Sequence, residues 1–258
     1  MSYIWLNERI GLEHIKQYPL TSMEFVIGAA IFYNLMIWAF QKYMDTRKER
    51  FNWRFATKSH NLLMAIYSGV SAIALFYISY RDGRFETYDT YVCHPPRSEA
   101  YYLVCYGFYL SKLWEMFDTV LLIAAKKPVI WLHQIHHTIT LGIAAVVWYG
   151  SGGMDIIPIG DNLIVHFFMY FYYFDPRRFS SFRRPMTVLQ ILQFFHVLYY
   201  NTIAVLSLPK NNWKVSDCGD HVYIAIFNFS CYGIFLILFI NFFIQQYINK
   251  KTERKKED

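Results

Sequence analysis

Long apolar runs, separated by short polar segments, recur along the whole chain. Seven of these runs are each long enough to cross a hydrocarbon layer of about 30 Å as an α-helix. They cover residues 22–40, 60–80, 101–124, 129–149, 156–174, 186–207 and 221–247. The pattern predicts an all-α polytopic membrane protein with seven transmembrane helices. We expect a single membrane domain over residues 1–258, with a basic tail at 248–258.

The net charge of +6 could indicate a nucleic-acid partner, but the positions of the basic residues indicate a membrane orientation instead. Most of the 25 lysines and arginines fall in the segments 41–58, 126–127, 177–184 and 250–256, which lie on one side of the predicted membrane. By the positive-inside rule this side is cytosolic. We therefore predict a luminal N-terminus, a cytosolic C-terminus, contact with the lipid bilayer and no nucleic-acid partner.

Two short features concern the cellular compartment. Cys93 and Cys218 fall in loops on the predicted luminal side, where an oxidising lumen would allow a disulfide. Two free thiols are the alternative, because sequence does not fix connectivity. Lys255 and Lys256 stand fourth and third from the C-terminus, as in dilysine retrieval signals of the endoplasmic reticulum. An ordinary basic tail beside anionic lipid is the alternative.

Polar side chains interrupt four of the predicted spans, and such residues inside a membrane indicate a functional site by default. They occur at spacings of three or four residues, which places each set on one helix face. The sets are Lys112, Glu115 and Asp118; His133, His136 and His137; Asn162 with His166; and Gln190 with Gln193. At 1.5 Å per residue, each set has a member about 7–12 Å from the predicted cytosolic side, namely Asp118, His136, His166 and the two glutamines. This shared depth predicts that they form one site.

Structural explanations exist for several polar residues. Lys112 could form a buried structural ion pair with a carboxylate of its own helix, and the glutamines could be interhelical hydrogen-bond partners. We expect His60 in a loop or at the membrane interface, and His196 as a buried core residue. The pattern assigns no role to Asp161.

The four sets resemble the motifs of the ELO family of very-long-chain fatty acid elongases, the 3-oxoacyl-CoA synthases. The family motifs Lys-x-x-Glu-x-x-Asp-Thr, His-x-x-His-His, Asn-x-x-x-His-x-x-Met-Tyr-x-Tyr-Tyr and Thr-x-x-Gln-x-x-Gln begin here at Lys112, His133, Asn162 and Thr187. The resemblance covers nearly the whole chain. It implies a location in the endoplasmic reticulum membrane and a fold in which six of seven helices enclose a substrate tunnel.

The implied reaction condenses a long-chain acyl-CoA with malonyl-CoA to 3-oxoacyl-CoA, CO2 and CoA, and it needs no cofactor or metal. We expect His136 to accept the acyl group, because histidine can be a covalent nucleophile. His166, set by Asn162, would stabilise the enolate. His133 and His137 would orient His136 or move protons. A direct attack within a ternary complex, with the histidines as general base, is the milder version.

Other polar residues would support this chemistry. The two carboxylates Glu115 and Asp118 would hold imidazole tautomers, and Lys112 would balance their charge. Substrate-binding residues are expected in two groups, along the tunnel and at its basic mouth near the CoA phosphates. These are Tyr170, Tyr173, Gln190 and Gln193 for the tunnel, and Lys126, Lys127, Arg177 and Arg178 for the mouth. Other enzymes of the elongation cycle are expected partners, and a homodimer is one option for the oligomeric state.

Two other functions compete with this interpretation. Membrane di-iron desaturases and hydroxylases also carry His-x-x-His-His boxes, and imidazole suits iron. They need several such boxes, whereas this chain has one box among nine histidines. A single zinc ion on His133, His136 and His137 would have poor ligand geometry on one helix. A seven-span transporter or receptor would leave the shared depth of the polar sets unexplained.

Overall fold

The computed structural model describes residues 18–87, 90–91, 98–150, 155–207 and 222–249, and all regular elements in these ranges are helical. The α-helices are α1 Met23–Thr46, α2 Arg54–Arg81, α3 Glu99–Glu115, α4 Phe117–Ala124, α5 Trp131–Gly150, α6 Ile156–Phe174, α7 Arg183–Ser207 and α8 Val222–Phe243. A 3₁₀ turn, Ser180–Phe182, precedes α7, and a π-helical segment, Ile244–Asn249, extends α8.

The helices cover all seven predicted spans, so the all-α polytopic fold is confirmed. Within the described residues, three helices are long and apolar enough to cross a membrane by length and composition, namely Met23–Thr46, Arg54–Arg81 and Ile226–Asn249. The third span is divided between helices of 17 and 8 residues, and α5 and α6 contain the histidines of the predicted site, which lower their mean hydropathy. The first connection is shorter than predicted, because α1 extends to Thr46 and α2 begins at Arg54.

The third span is broken in two, which the apolar pattern did not predict. Helix α3 ends at Glu115, and α4 begins at Phe117 after a single intervening residue, Met116. Asp118 lies in the first turn of α4. A carboxylate at this position is favourable because the N-terminus of a helix carries a partial positive charge. The break therefore places two polar residues, Asp118 and Thr119, at a helix start in the middle of a span.

Helices α2 and α6 pack closely through two glycines. A Cβ atom at Gly69 of α2 would lie 2.9 Å from the Phe167 ring of α6. In the other direction, a Cβ atom at Gly160 of α6 would lie 2.9 Å from the Phe76 ring of α2. Small residues at such positions let membrane helices approach each other, and here each glycine receives an aromatic ring of the other helix.

Six spans pack in a closed ring, in the order α2, α6, α7, α8, α5, α3 and back to α2. Helix α1 lies outside this ring, against α5 and α4. We call the end of the bundle formed by residues 47–53, 125–130 and 175–182 the basic end, and the end that contains Arg84 and Asp155 the opposite end. The ring is the arrangement that a tunnel enclosed by six helices requires, and the tunnel itself stays a prediction.

Candidate functional site

Two of the predicted polar sets, on α3 and α6, meet in a buried cluster. The Lys112 ammonium donates hydrogen bonds to Oε1 of Glu115 and to Oδ1 of Asn162, both at 2.6 Å. Nδ1 of His166 lies 3.2 Å from the same Glu115 oxygen. All four side chains are buried. A charge removed from water is costly unless it is paired, and the Lys112–Glu115 pair meets this condition. The pair thereby fixes the surroundings of the His166 imidazole.

The three histidines of α5 form the next part of the site. The ring centroids of His133 and His137 are 4.3 Å apart, and those of His136 and His137 are 5.5 Å apart. His136 also packs against Phe235 of α8, at 4.9 Å between centroids. It interacts electrostatically with His166 and Glu115. The histidine box therefore faces the buried cluster of α3 and α6 across the ring of helices.

The hydroxyl group of Thr119, directly after the helix break, joins α5 to α1. It lies 2.9 Å from Nε2 of His133 and 2.7 Å from the hydroxyl oxygen of Tyr33. A second link lies beside it, because Gln134 donates a hydrogen bond of 2.8 Å to Oδ1 of Asn34. Tyr33 and Asn34 are not predictable as site residues from the sequence, since a tyrosine and an asparagine in a mostly apolar helix form no motif.

Asp118 makes its side-chain hydrogen bonds with residues of α2 and α6. Its Oδ1 lies 2.5 Å from Nε2 of His60, and its Oδ2 accepts a hydrogen bond of 2.6 Å from the Tyr170 hydroxyl. The expectation of a loop or interface position for His60 is wrong, because His60 is 4% exposed within α2. Its partner is 58 residues away in the chain, so no local pattern could have indicated the contact.

The predicted tunnel residues occupy different environments. Gln190 donates a hydrogen bond of 3.5 Å to Sδ of Met169, and Gln193 is buried beside it on α7. Tyr170 is fully buried, whereas Tyr173 is 47% exposed. The carbonyl oxygen of Tyr173 accepts a hydrogen bond from Asn61 of α2. Of these four residues, only Tyr170 joins the network around Asp118.

The basic residues predicted near CoA lie at the basic end of the bundle and are exposed there. Lys126 donates a hydrogen bond to the carbonyl oxygen of Arg47. Arg178 lies over the Phe179 ring, 5.9 Å from its centroid. Lys127 and Arg177 extend the same surface. The surface is thus positively charged at the end of the ring where α5 begins, about 8 Å along the helix from His136.

Other predictions fall outside the described residues or need correction. The disulfide candidates Cys93 and Cys218 and the retrieval lysines Lys255 and Lys256 lie outside the described residues. His196 is not a buried core residue, because its side chain is 43% exposed beside α6. Its Nδ1 lies 2.6 Å from Oδ2 of Asp161, which gives that carboxylate a partner.

The donor set of the site is rich in imidazole, but its side chains do not converge as metal ligands do. Over the described ranges, no group of three or more His, Cys, Asp or Glu side chains is arranged to hold a metal ion. His133 faces a hydroxyl group and His60 faces a carboxylate, so the imidazoles have separate partners. Buried imidazoles beside a Lys–Glu pair can act as nucleophiles, as bases and as hydrogen-bond donors.

Comparison with known proteins agrees with these motifs. The profile of the ELO family, described as the GNS1/SUR4 family, matches residues 18–255. Fatty acid elongase A of Dictyostelium discoideum is 30% identical over 254 residues, which cover 92% of this chain and 88% of that protein. A putative fatty acid elongase of the same organism is 29% identical, over 91% of this chain and 79% of that protein.

A third relative comes from an animal. Long chain fatty acid elongase 2 of Caenorhabditis elegans is 28% identical over 274 residues, which cover 97% of this chain and 93% of that protein. These three matches cover 91–97% of this chain and 79–93% of the relatives. The family match over residues 18–255 includes every helix that contributes to the site. The chain belongs to the ELO (GNS1/SUR4) family of membrane proteins, and its activity is in fatty acid elongation.

Proposed function

We propose that this protein is a 3-oxoacyl-CoA synthase, which condenses a long-chain acyl-CoA with malonyl-CoA to 3-oxoacyl-CoA, CO2 and CoA. One observation supports this most directly: the histidine box of α5 faces the buried Lys112–Glu115–Asn162–His166 cluster. The site thus combines an imidazole nucleophile with a second, separately held imidazole. A decarboxylating condensation needs both an acyl acceptor and a group that stabilises an enolate.

In the first half-reaction, His136 takes the acyl group. A nitrogen of its imidazole attacks the thioester carbonyl, the C–N bond forms, and the C–S bond breaks. The proton of the other ring nitrogen passes to the CoA sulfur, so that free CoA and a neutral acyl-imidazole remain. His136 suits this step because the rings of Phe235 and Phe239 of α8 pack against its ring and give it an apolar surrounding. Exclusion of water protects the acyl-imidazole from hydrolysis.

In the second half-reaction, malonyl-CoA loses CO2, and the electrons of the broken C–C bond form an enolate. The enolate carbon attacks the acyl carbonyl, a new C–C bond forms, and the C–N bond to His136 breaks. A proton from solution restores the imidazole. His166 stabilises the enolate oxygen by donating from Nε2, and because its Nδ1–H faces Glu115 this role requires the doubly protonated imidazolium. His133 and His137 orient His136 or move its proton.

The basic end supplies the binding surface for CoA in this proposal. Lys126, Lys127, Arg177 and Arg178 provide the charges that the phosphates of acyl-CoA and malonyl-CoA need. The acyl chain then runs from the histidines towards the opposite end. We place the basic end in the cytosol and the protein in the endoplasmic reticulum membrane. Protease protection of tags at both termini tests this orientation, and a protected C-terminus would contradict it.

Condensation by the purified protein tests the proposal. Wild type, His136→Ala and His166→Ala receive labelled malonyl-CoA and a panel of acyl-CoAs. We expect labelled 3-oxoacyl-CoA from the wild type only. His196→Asn is the matched control, because Asn replaces an imidazole away from the site and keeps an N–H for Asp161; it should remain active. Absence of product from the folded wild type across the panel would contradict the proposal.

Acyl trapping separates the two versions of the mechanism. With acyl-CoA alone, the covalent version releases free CoA and leaves an acyl mass on the peptide that contains His136. His136→Ala should release none. If no CoA is released until malonyl-CoA is added, the ternary-complex version holds instead. Metal analysis of the active protein addresses the competing di-iron function, for which about two iron atoms per chain would be expected.

A further inference from the structure

His60 is a buried histidine that the reaction described above does not use. Both of its ring nitrogens have partners. The indole N–H of Trp114 donates to Nδ1 at 3.2 Å, and Nε2 lies 2.5 Å from Oδ1 of Asp118. An indole N–H can only donate, so Nδ1 must be the acceptor and Nε2 carries the proton. The two contacts therefore fix one tautomer, in which His60 donates to Asp118.

The Asp118 carboxylate accepts hydrogen bonds from two side chains, and His60 is the first of them. Its second oxygen accepts the hydroxyl proton of Tyr170 at 2.6 Å. Both oxygens of the carboxylate therefore have a hydrogen-bond donor. The Asp118 side chain therefore links α2 to α6 through the start of α4, and its position depends on a donor from each helix.

Tyr170 carries this linkage to the reacting imidazole. It lies one turn beyond His166 on α6, with 5.6 Å between the two ring centroids and 72° between their planes. On its other side it meets the His60 ring at 6.0 Å and 80°. The Tyr170 ring is fully buried between two imidazoles, and its hydroxyl group is held by Asp118. A shift of Tyr170 would therefore move the surface against which His166 packs.

We propose that His60 is a positioning residue of the elongation reaction, acting through Asp118 and Tyr170 to hold the His166 imidazole in place. The inference rests on the proposed role of His166 in the second half-reaction. His60 itself touches no substrate in this proposal. Its contribution is the N–H that it donates to Asp118. Without this hydrogen bond, Tyr170 is the one remaining donor of the two, and the carboxylate that accepts the Tyr170 hydroxyl proton is no longer held in position.

A double-mutant cycle tests whether His60 acts through Tyr170. We expect His60→Phe and Tyr170→Phe each to lower kcat by about 10–100-fold, the range seen when a supporting hydrogen-bond partner is removed. KM for acyl-CoA should stay near the wild-type value. The double variant should lose no more than the more impaired single variant, because both changes break one linkage. If the fold-loss of kcat in the double variant equals the product of the two single-variant losses, the proposal is overturned.

Conservative and matched variants separate positioning from folding. His60→Gln keeps an N–H for Asp118 and an acceptor for Trp114, so it should retain most of the activity. His196→Phe makes the same substitution outside the site, and its activity per folded molecule should match the wild type. If His60→Gln is as impaired as His60→Phe while both are folded, the donated N–H is not the contribution of His60.

A labelling experiment gives an answer that does not depend on turnover. Diethyl pyrocarbonate modifies accessible imidazoles, and peptide mass spectrometry measures the rate at each histidine. We expect His60→Phe and Tyr170→Phe to change the rate at His166 severalfold and to leave His133 unchanged. An unchanged rate at His166 would overturn the positioning role. If the wild type forms no 3-oxoacyl-CoA but His166 labelling responds, the condensation proposal fails and the positioning linkage stands.

Discussion

A single hydroxyl group, that of Thr119, connects the histidine box to the helix outside the ring. It is fully buried and lies within hydrogen-bond distance of both Tyr33 and His133. Thr119→Val keeps the shape and removes both contacts, so it leaves a buried phenol and a half-buried imidazole without this partner. An unsatisfied buried polar group costs about 1–3 kcal/mol. We expect a lower Tm and slower condensation.

Thr202→Val is the matched control for this prediction. The Thr202 hydroxyl donates to the carbonyl oxygen of Leu198 in its own helix, and the residue is exposed on α7. The same substitution there should change neither the Tm in detergent nor the rate of condensation. Equal Tm and equal rate for Thr119→Val and the wild type would show that the Tyr33–Thr119–His133 contacts do not support the site.

At the scale of single residues, sequence predicts partners within one helix better than partners across helices. The three-residue spacing of Lys112 and Glu115 gave their common face, and the structure adds the hydrogen bond. His60 and Tyr33 could not be assigned in this way, because their partners are 58 and 86 residues away. Such contacts depend on which helices become neighbours, and the spacing of polar residues within one helix does not contain that information.

At the scale of helices, the Asp161–His196 pair joins α6 to α7 at a surface where neither side chain is fully buried by protein. His196→Leu leaves the Asp161 carboxylate without its partner inside the membrane. An unpaired charge costs about 2.5–3.5 kcal/mol at the middle of a membrane helix. Asp161 lies about 8 Å from the start of α6, so we expect a smaller penalty and a measurable fall in Tm. Thermal unfolding in lipid nanodiscs measures it.

The double variant completes this test. Asp161→Leu with His196→Leu removes both polar partners, so the Tm should return to the wild-type value or exceed it, as when hydrophobic residues replace a pair of buried polar groups. Condensation per folded molecule should be unchanged in both variants, because the pair lies outside the proposed site. A Tm of His196→Leu equal to that of the wild type would mean that lipid or water already satisfies Asp161.

The helices themselves were largely predictable, whereas the break in the third span was not. Each span could be predicted from the length of its apolar run, because the thickness of the membrane requires about 20 apolar residues in a helix that crosses it. The break at Met116 has neither proline nor glycine, the usual causes of a kink. The one local signal is Asp118 in the first turn of α4, and a single acidic residue inside an apolar run is too weak to end a helix in a prediction.

At the scale of the whole molecule, one face of α5 connects the histidine box to the opposite end of the ring. Trp148 lies eleven residues beyond His137, which is about three turns and about 16 Å along the same face. The buried residues between them on this face include two alanines, Ala144 and Ala145. Small side chains between the histidines and the large ring at the end would suit an acyl chain that stops at Trp148.

The Trp148 indole is the part of this face best placed to set the length of the product. It is 2% exposed, and the rings of Tyr18, Tyr102 and Tyr106 surround it. Trp148→Leu should therefore let the enzyme form 3-oxoacyl-CoA from acyl chains at least two carbons longer than the wild type accepts. Ala144→Leu, which fills the face nearer the histidines, should shorten the longest accepted chain.

Product length across a graded series of acyl-CoAs measures both effects. Trp131→Leu is the matched control, because Trp131 begins the same helix at the basic end and is 77% exposed. Loss of a buried indole costs about 3–5 kcal/mol, so product distributions rather than total rates must be compared. A shift for Trp148→Leu without one for Trp131→Leu would place the end of the acyl chain at Trp148. Identical product distributions in all variants would mean that the acyl chain leaves the α5 face before it reaches Trp148 and the three tyrosines around it.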